Sequence, residues 1–220
     1  MSQELIAPVA AHLATGLAVT LWVSLLTTLF ATAIGVSVGA ASNSAHAGVK
    51  LAVRVYIDVF RGVPSLMTLL FVFFALPHAG IRTGPITASV LGLALWGGAN
   101  IAETTRGALQ SISSHQTEAA RALGMSRVQA LLFAVTPQAI RRFLPPYVGQ
   151  LTVLIQASAL TSVVGVTDLL GAARQMIERL AYVGPESHAV AIYCAVLIAF
   201  FAMCYPLTML SNYLERKLRT

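Results

Sequence analysis

Long apolar stretches separated by short charged ones dominate this chain. No Asp, Glu, Lys or Arg lies between Glu4 and Lys50, and a helix that crosses a bilayer needs roughly 20 apolar residues. One spanning helix is therefore expected at about residues 16–41, and a second at about 54–77, with Asp58 and Arg61 near its start and Pro77 closing it. The same pattern predicts a third at about 85–108, a fourth at about 143–165 and a fifth at about 187–212. The opening residues SQELIAPVAAHL are mildly amphipathic and are expected to lie along the outer membrane surface ahead of the first span. No fixed-period repeat, low-complexity tract or shift in composition divides residues 1–220. The expectation is one all-α integral membrane domain of five spans.

Composition agrees. The chain is 57% hydrophobic and 10% charged, against roughly 25% charged for a soluble domain, and its mean hydropathy is +0.77. No basic leader with a short apolar core and an A-x-A site opens the sequence, so no cleaved signal peptide is expected. The net charge of +6 does not indicate nucleic acid, because basic residues in so apolar a chain mark the cytoplasmic flanks of spans. Lys50, Arg54 and Arg61 follow the first span. Arg106, Arg121, Arg127, Arg141 and Arg142 sit around the loop between the third and fourth, and Arg216, Lys217 and Arg219 in the tail. These are 11 of the 14 Lys and Arg; Arg82, Arg174 and Arg179 fall on the other side. The expected topology has the N-terminus outside, with the 111–142 loop and the C-terminus in the cytoplasm.

Several chemistries drop out. His12, His46, His78, His115 and His188 form no i,i+4 pair and have no neighbouring Cys, so no metal site is expected. Ser65 has no visible catalytic partner. Cys194 and Cys204 are too far apart along one helix to pair, since bridged Cα atoms lie within about 7 Å. Lys50 and Lys217 are the only lysines and neither follows a Gly-rich loop, so no G-x4-G-K-[ST] phosphate site exists. No bound cofactor is expected, and any ATP and Mg would be used by a partner.

The most informative polar segment is EAARALGMSRVQALLFAVTP, Glu118 to Pro137. Glu118 near a helix N-terminus favours the macrodipole, Ala119 and Ala120 form helix without bulk, and Gly124 permits a sharp change of direction. The segment resembles the EAA loop of bacterial ABC-importer permeases, with Thr136 where that family usually has Leu. Further stretches extend the likeness from about residue 15 to the end: GLAVTLWVSLLTTLFATAIGVSVG; YIDVFRGVPSLMTLLFVFFALP, with Arg61, Gly62 and Pro64 as an Arg-Gly-x-Pro turn; ANIAETTRGALQSI, with Asn100 where an aromatic is usual; and TSVVGVTDLL with LERKLR. On these motifs the chain resembles the transmembrane subunit of a polar-amino-acid ABC importer, the histidine/glutamine/glutamate permease family.

The resemblance implies the type I importer permease fold in the bacterial inner membrane, with uptake rather than covalent chemistry as the activity. It implies two ABC ATPase subunits, a second permease subunit (identical or related), a periplasmic amino-acid-binding protein and surrounding membrane lipid as partners. Glu118, Ala119, Ala120, Arg121, Gly124, Met125 and Ser126 would couple ATPase closure to alternating access. Residues placed along the substrate path are Pro64, Ser65, Asn100, Glu103, Gln156, Ser158, Thr161 and Ser162. Glu103 has two readings: a partner for a substrate ammonium, or a helix-end salt bridge to Arg106 three residues on. Where the family commonly has Lys-Asp-Thr-Ser-Leu, this chain has Gln156-Ala157-Ser158-Ala159-Leu160. The missing acid argues against a cationic side chain on the substrate. Glutamate/aspartate members look closest around Gln156 and Asp168, with glutamine, histidine or arginine as alternatives. A standalone secondary transporter would more often show inverted repeats, and none is visible.

Overall fold

In the computed structural model, which describes residues 3–183 and 188–218, every regular element is helical. The order is α1 Gln3–Ala41, α2 Ala47–Gly62, α3 Ser65–His78, α4 Pro85–Gln110, α5 Ser114–Ala122, α6 Arg127–Gln129, α7 Thr136–Ser158, α8 Leu169–Val183 and α9 Ala189–Leu218. A π turn, Ala130–Val135, joins α6 to α7, and a 3-10 turn, Ala159–Val164, extends α7. Four continuous segments are long and apolar enough to cross a membrane: Ala7–Ala41, Pro85–Gln110, Arg127–Val164 and Ala189–Leu218. A fifth exists only if α2 and α3, bent by 106°, are taken together.

The predicted second span, 54–77, is thus two helices. Val63 is extended (φ −99°, ψ 136°), and Pro64 after it has φ −56°. Proline pushes its predecessor out of the helical region and offers no N–H, so the Gly62-Val63-Pro64 run breaks the helix. The 14 residues of α3 extend only about 21 Å at 1.5 Å per residue, short of the roughly 30 Å hydrocarbon core. Continuous helix in the fourth span begins well before the expected residue 143. The start expected for the fifth, residue 187, lies outside the described residues.

The N-terminal segment also departs from expectation. It does not lie along the surface as a separate piece; α1 is one helix from Gln3. Its apolar side is covered by protein, because Val9 packs with Leu169, Met176 and Leu180 of α8 and Ile192 of α9. His12 Nε2 lies 3.1 Å from Gln175 Oε1 on α8. Helix α8 itself went unpredicted, although Leu169, Ala173, Met176 and Leu180 recur at helical spacing, with Arg174 and Glu178 on other faces.

Helix α4 is the centre of the bundle. Gly92, Gly97, Gly98, Ala94, Ala99 and Ala102 are all buried on it. A Cβ on Gly92 would stand 2.8 Å from Leu69 Cα of α3, and one on Gly97 would stand 2.4 Å from Leu154 Cδ2 of α7. Against α1 the approach is as close: a Cβ on Gly35 would meet Ile101 Cβ at 2.5 Å, and one on Gly39 would meet Thr105 Cβ at 2.4 Å. Gly35 and Gly39 form a G-x3-G pair, the spacing that lets helix backbones approach closely in lipid. The outward faces carry Leu21, Trp22, Leu25, Leu29 and Phe30 on α1 and Leu197, Ile198 and Phe201 on α9, all half or more exposed.

The two kinds of helical glycine separate in a stability measurement. Gly39→Val overpacks the α1–α4 contact and should destabilise by roughly 1–3 kcal/mol. Gly107→Ala, with no atom within 4 Å of its added Cβ, should gain about 0.5–1 kcal/mol from the helix interior. Thermal unfolding of the detergent-solubilised protein checks both; equal midpoints would remove the close-contact account.

Candidate coupling segment and substrate path

From Ser113 to Pro137 the chain builds a compact projection at one end of the bundle. Ser113 caps α5, its hydroxyl accepting from His115 N–H at 3.3 Å. The other end closes through Gly124, whose φ of +88° is open to glycine at little steric cost. Gly124 N–H donates to Arg121 O at 3.0 Å, and Met125 N–H to Ala120 O at 3.1 Å; this pair of bonds is the Schellman stop. Ser126 then starts the next helix with a capping box, in which Gln129 N–H donates to Ser126 Oγ and Ser126 N–H to Gln129 Oε1. Reversal between α5 and α6 therefore takes only Leu123 to Ser126.

Helix α5 packs back on the π turn. Pro137 explains that turn, since its ring cannot accept normal α-helical spacing to the preceding carbonyls and a π turn relaxes the conflict. Thr136, the departure from the usual Leu, donates its hydroxyl to Leu131 O at 2.8 Å and satisfies a carbonyl there. Gln138 Nε2 of α7 ties the projection down by donating to Gln116 Oε1 at 3.2 Å, and Arg142 Nη1 of α7 holds the chain just ahead of it by donating to Ser111 O.

The side chains divide. Glu118 is exposed and 3.3 Å from His115 Nδ1; Ala119, Arg121, Gly124 and Ser126 are exposed, and Met125 is half-buried. Ala120 turns inward and is buried, so its small size serves packing within the projection rather than an outer contact. Sequence reasoning missed the apolar tip: Leu123 is 82% exposed, and Val128, Leu132 and Phe133 are also exposed. Their signal was a cluster of large apolar residues in a charged loop. A cleft of about 820 Å³ between the 42–45 turn and the projection is lined by Glu118, Arg121 and Arg127 with Lys50 and Gln110.

None of the five main cavities is lined by all the residues predicted for a substrate path. Glu103 is held by Arg106, whose Nε donates to Oε2 at 2.8 Å and Nη2 to Oε1 at 2.6 Å, and Arg61 Nη1 lies 3.7 Å away. This two-pronged pair favours the salt-bridge reading of Glu103. The cavity beside it, about 470 Å³, includes neither Asn100 nor any of Gln156, Ser158, Thr161 and Ser162 in its lining. Asn100 is half-buried and donates to Trp96 O at 3.0 Å. Pro64 and Ser65 sit at the α2–α3 break. Gln156 is exposed on α7, while Ser158 and Thr161 are fully buried. Ser158 donates to Ile155 O at 2.7 Å and Ser162 to Ala159 O at 2.9 Å. Ala157, at the position where the resemblance led one to expect Asp, packs with Leu69, Leu93 and Val164. Asp168 caps α8: its Oδ1 accepts from Gly171 N–H at 2.8 Å, and Thr20 Oγ1 of α1 accepts from Leu169 N–H at 2.9 Å.

A bundle of helices long and apolar enough to cross a membrane, with a capped projection at one end, is a multi-pass membrane protein. Over residues 31–220 the sequence matches the family described as the binding-protein-dependent transport system inner membrane component, and the chain belongs to that family. It is 35% identical over 167 residues to the glutamine transport system permease protein GlnP of Escherichia coli (strain K12), covering 75% of this chain and 74% of that one. Likeness to the probable amino-acid ABC transporter permease protein YckA of Bacillus subtilis (strain 168) is 35% over 164 residues, 74% and 70% of the two chains. In structure it is similar to a chain of an amino acid ABC transporter crystallised with histidines, at a TM-score of 0.86, 28% identity and 99% coverage of both. The fold is the type I importer permease fold, and the chain is an amino-acid ABC importer permease of the inner membrane. It works with a separate ATPase subunit and a substrate-binding protein, and is not itself an enzyme.

Replacing Gly124 by Val forces a β-branched side chain into the left-handed region, at about 1–2 kcal/mol. Local hydrogen exchange should rise in residues 114–129 while the unfolding midpoint of the bundle stays put. Unchanged protection there would show that the turn does not depend on glycine.

Proposed function

We propose that this chain carries a polar amino acid whose side chain bears no positive charge: glutamine, or its acidic counterparts glutamate and aspartate. The observation that carries this reading is the stretch from Gln156 to Thr167, which holds no acidic side chain but exposes the Gln156 amide as a hydrogen-bond donor. A lysine or arginine substrate would find no counter-charge there, and an unpaired charge in a membrane interior is costly. Support for glutamine comes from relatives named as glutamine permeases. The two classes are separated by uptake of labelled glutamine into proteoliposomes containing the whole transporter. A tenfold excess of unlabelled glutamine or glutamate should suppress uptake by most of its value, and arginine should not. Arginine uptake competing equally would overturn the reading.

The same proposal makes the exposed residues between Glu118 and Ser126 the contact for the ATPase, with two ATPase subunits and two permease subunits in the complex and a binding protein on the far side. ATP and Mg then belong to the ATPase. Gly124→Val should reach the membrane normally yet lose ATPase association. A variant that assembles and transports normally would remove this role.

The proposed orientation places the projection in the cytoplasm, on the eleven-to-three bias of Lys and Arg. In a cysteine-free background, an impermeant thiol reagent applied to sealed cells should label Arg82→Cys and miss Ser114→Cys. The opposite pattern would invert the topology.

A further inference from the structure

Helix α2 carries both charged and exposed apolar side chains. At about 100° per residue, its side chains sort into three stripes. Val53 and Ile57 are buried, facing Ala102 of α4 and Val38 of α1. Next around the helix come Lys50, Arg54 and Arg61, all exposed. Beyond them, past Asp58, run Leu51, Val55 and Val59, exposed by 63%, 52% and 51%. A basic stripe set between a protein-packed face and an exposed apolar face is the arrangement in which long side chains snorkel.

The place of this stripe in the bundle is informative. The cavity of about 470 Å³ beside it is bounded by Ser42 and Asn43, just past the end of α1, and by Gln110, the last residue of α4. It therefore opens at the level where two spans end, the level of lipid headgroups. Its lining carries four basic side chains, Lys50, Arg54, Arg61 and Arg106, against the two carboxylates of Asp58 and Glu103. Glu103 is already engaged by Arg106 and approached by Arg61. Neither Lys50 nor Arg54 has a carboxylate within ion-pair distance among the described residues.

We propose that this cavity binds the phosphodiester headgroup of an anionic phospholipid, between Lys50 and Arg54, with the acyl chains lying along Leu51, Val55 and Val59. Charge complementarity selects the occupant: a net-positive recess attracts phosphate, and the contiguous apolar stripe supplies a surface for hydrocarbon that free phosphate would leave uncovered. Ser42 and Asn43 add a hydroxyl and an amide for the headgroup's polar atoms.

The test uses the full chain, purified with its accompanying subunits in detergent, and lipid retention read by native mass spectrometry. Phosphatidylglycerol should be retained in preference to phosphatidylcholine. Lys50→Gln/Arg54→Gln should weaken that retention about 25-fold, at about fivefold for each basic residue near a headgroup. Arg216→Gln/Lys217→Gln in the tail should leave it unchanged. Val55→Ser/Val59→Ser, which keeps every charge, should also weaken it and provides a second route if the first variant does not assemble. The proposal is overturned by equal retention of the two lipids, or by equal losses in the tail variant. It is equally overturned if inorganic phosphate displaces the lipid at millimolar concentration, or if a cross-link from Val55→Cys shows a protein subunit on the stripe.

Discussion

Everything in this bundle depends on how closely other helices approach α4. Inside a membrane, helices gain little from leaving water, so association rests on van der Waals contact and hydrogen bonds between them. Contact on the scale seen here is available only where side chains are missing. Gly35 and Gly39 admit Ile101 and Thr105, Gly92 admits the backbone of α3 at Leu69, and Gly97 admits Leu154. Four glycines on two helices thus fix the positions of α1, α3 and α7 relative to α4. Leu69, Leu93, Ile101 and Leu154 fill the spaces between helices, while many other large apolar side chains point outward, as lipid allows.

Polar groups inside such a bundle must find partners within it, because an unsatisfied group in hydrocarbon costs several kcal/mol. The structure meets this locally at several irregularities of the backbone. Thr136 closes the carbonyl near the π turn, and Thr20 takes the first N–H of α8. Asp168 takes the third. Tyr56 OH donates to Leu95 O at 2.7 Å, pinning α2 to the middle of α4. These short, specific bonds allow a chain with so few charges to hold broken and irregular helices in place.

Legibility in the sequence followed the physics of each feature. Uninterrupted apolar length announced α1, α4, α7 and α9, because lipid imposes that length on any spanning helix. Gly124 announced its turn, since few residues but glycine sit at φ +88°. The break between α2 and α3 was visible as Gly62-Val63-Pro64, yet summed hydropathy across it hid the bend: an average over residues carries no direction. Helix α8 is amphipathic and short, so a search for spans passed over it, although its apolar spacing was present. Grouping of the substrate-path residues was least legible. Asn100, Glu103 and Ser158 are near one another in helical logic only if α4 and α7 turn those faces together, and rotation about a helix axis is set by packing that no single helix encodes.

The two kinds of irregularity also have different mechanical consequences. At the projection, the Schellman stop and the capping box shape the turn between α5 and α6, the Gln116–Gln138 bond joins α5 to α7, and the Arg142–Ser111 bond joins the end of α4 to α7. For α5 to move alone, the Gln116–Gln138 bond and its packing on the π turn would have to break. The α2–α3 junction is the opposite case. Val63 N–H still bonds Val59 O, but no cap by a side chain holds the end of α2 or the start of α3, and Gly62 has open space around it. The projection is thus fixed by several ties, whereas the 106° bend rests on the Val63 N–H bond and the Arg61–Glu103 ion pair.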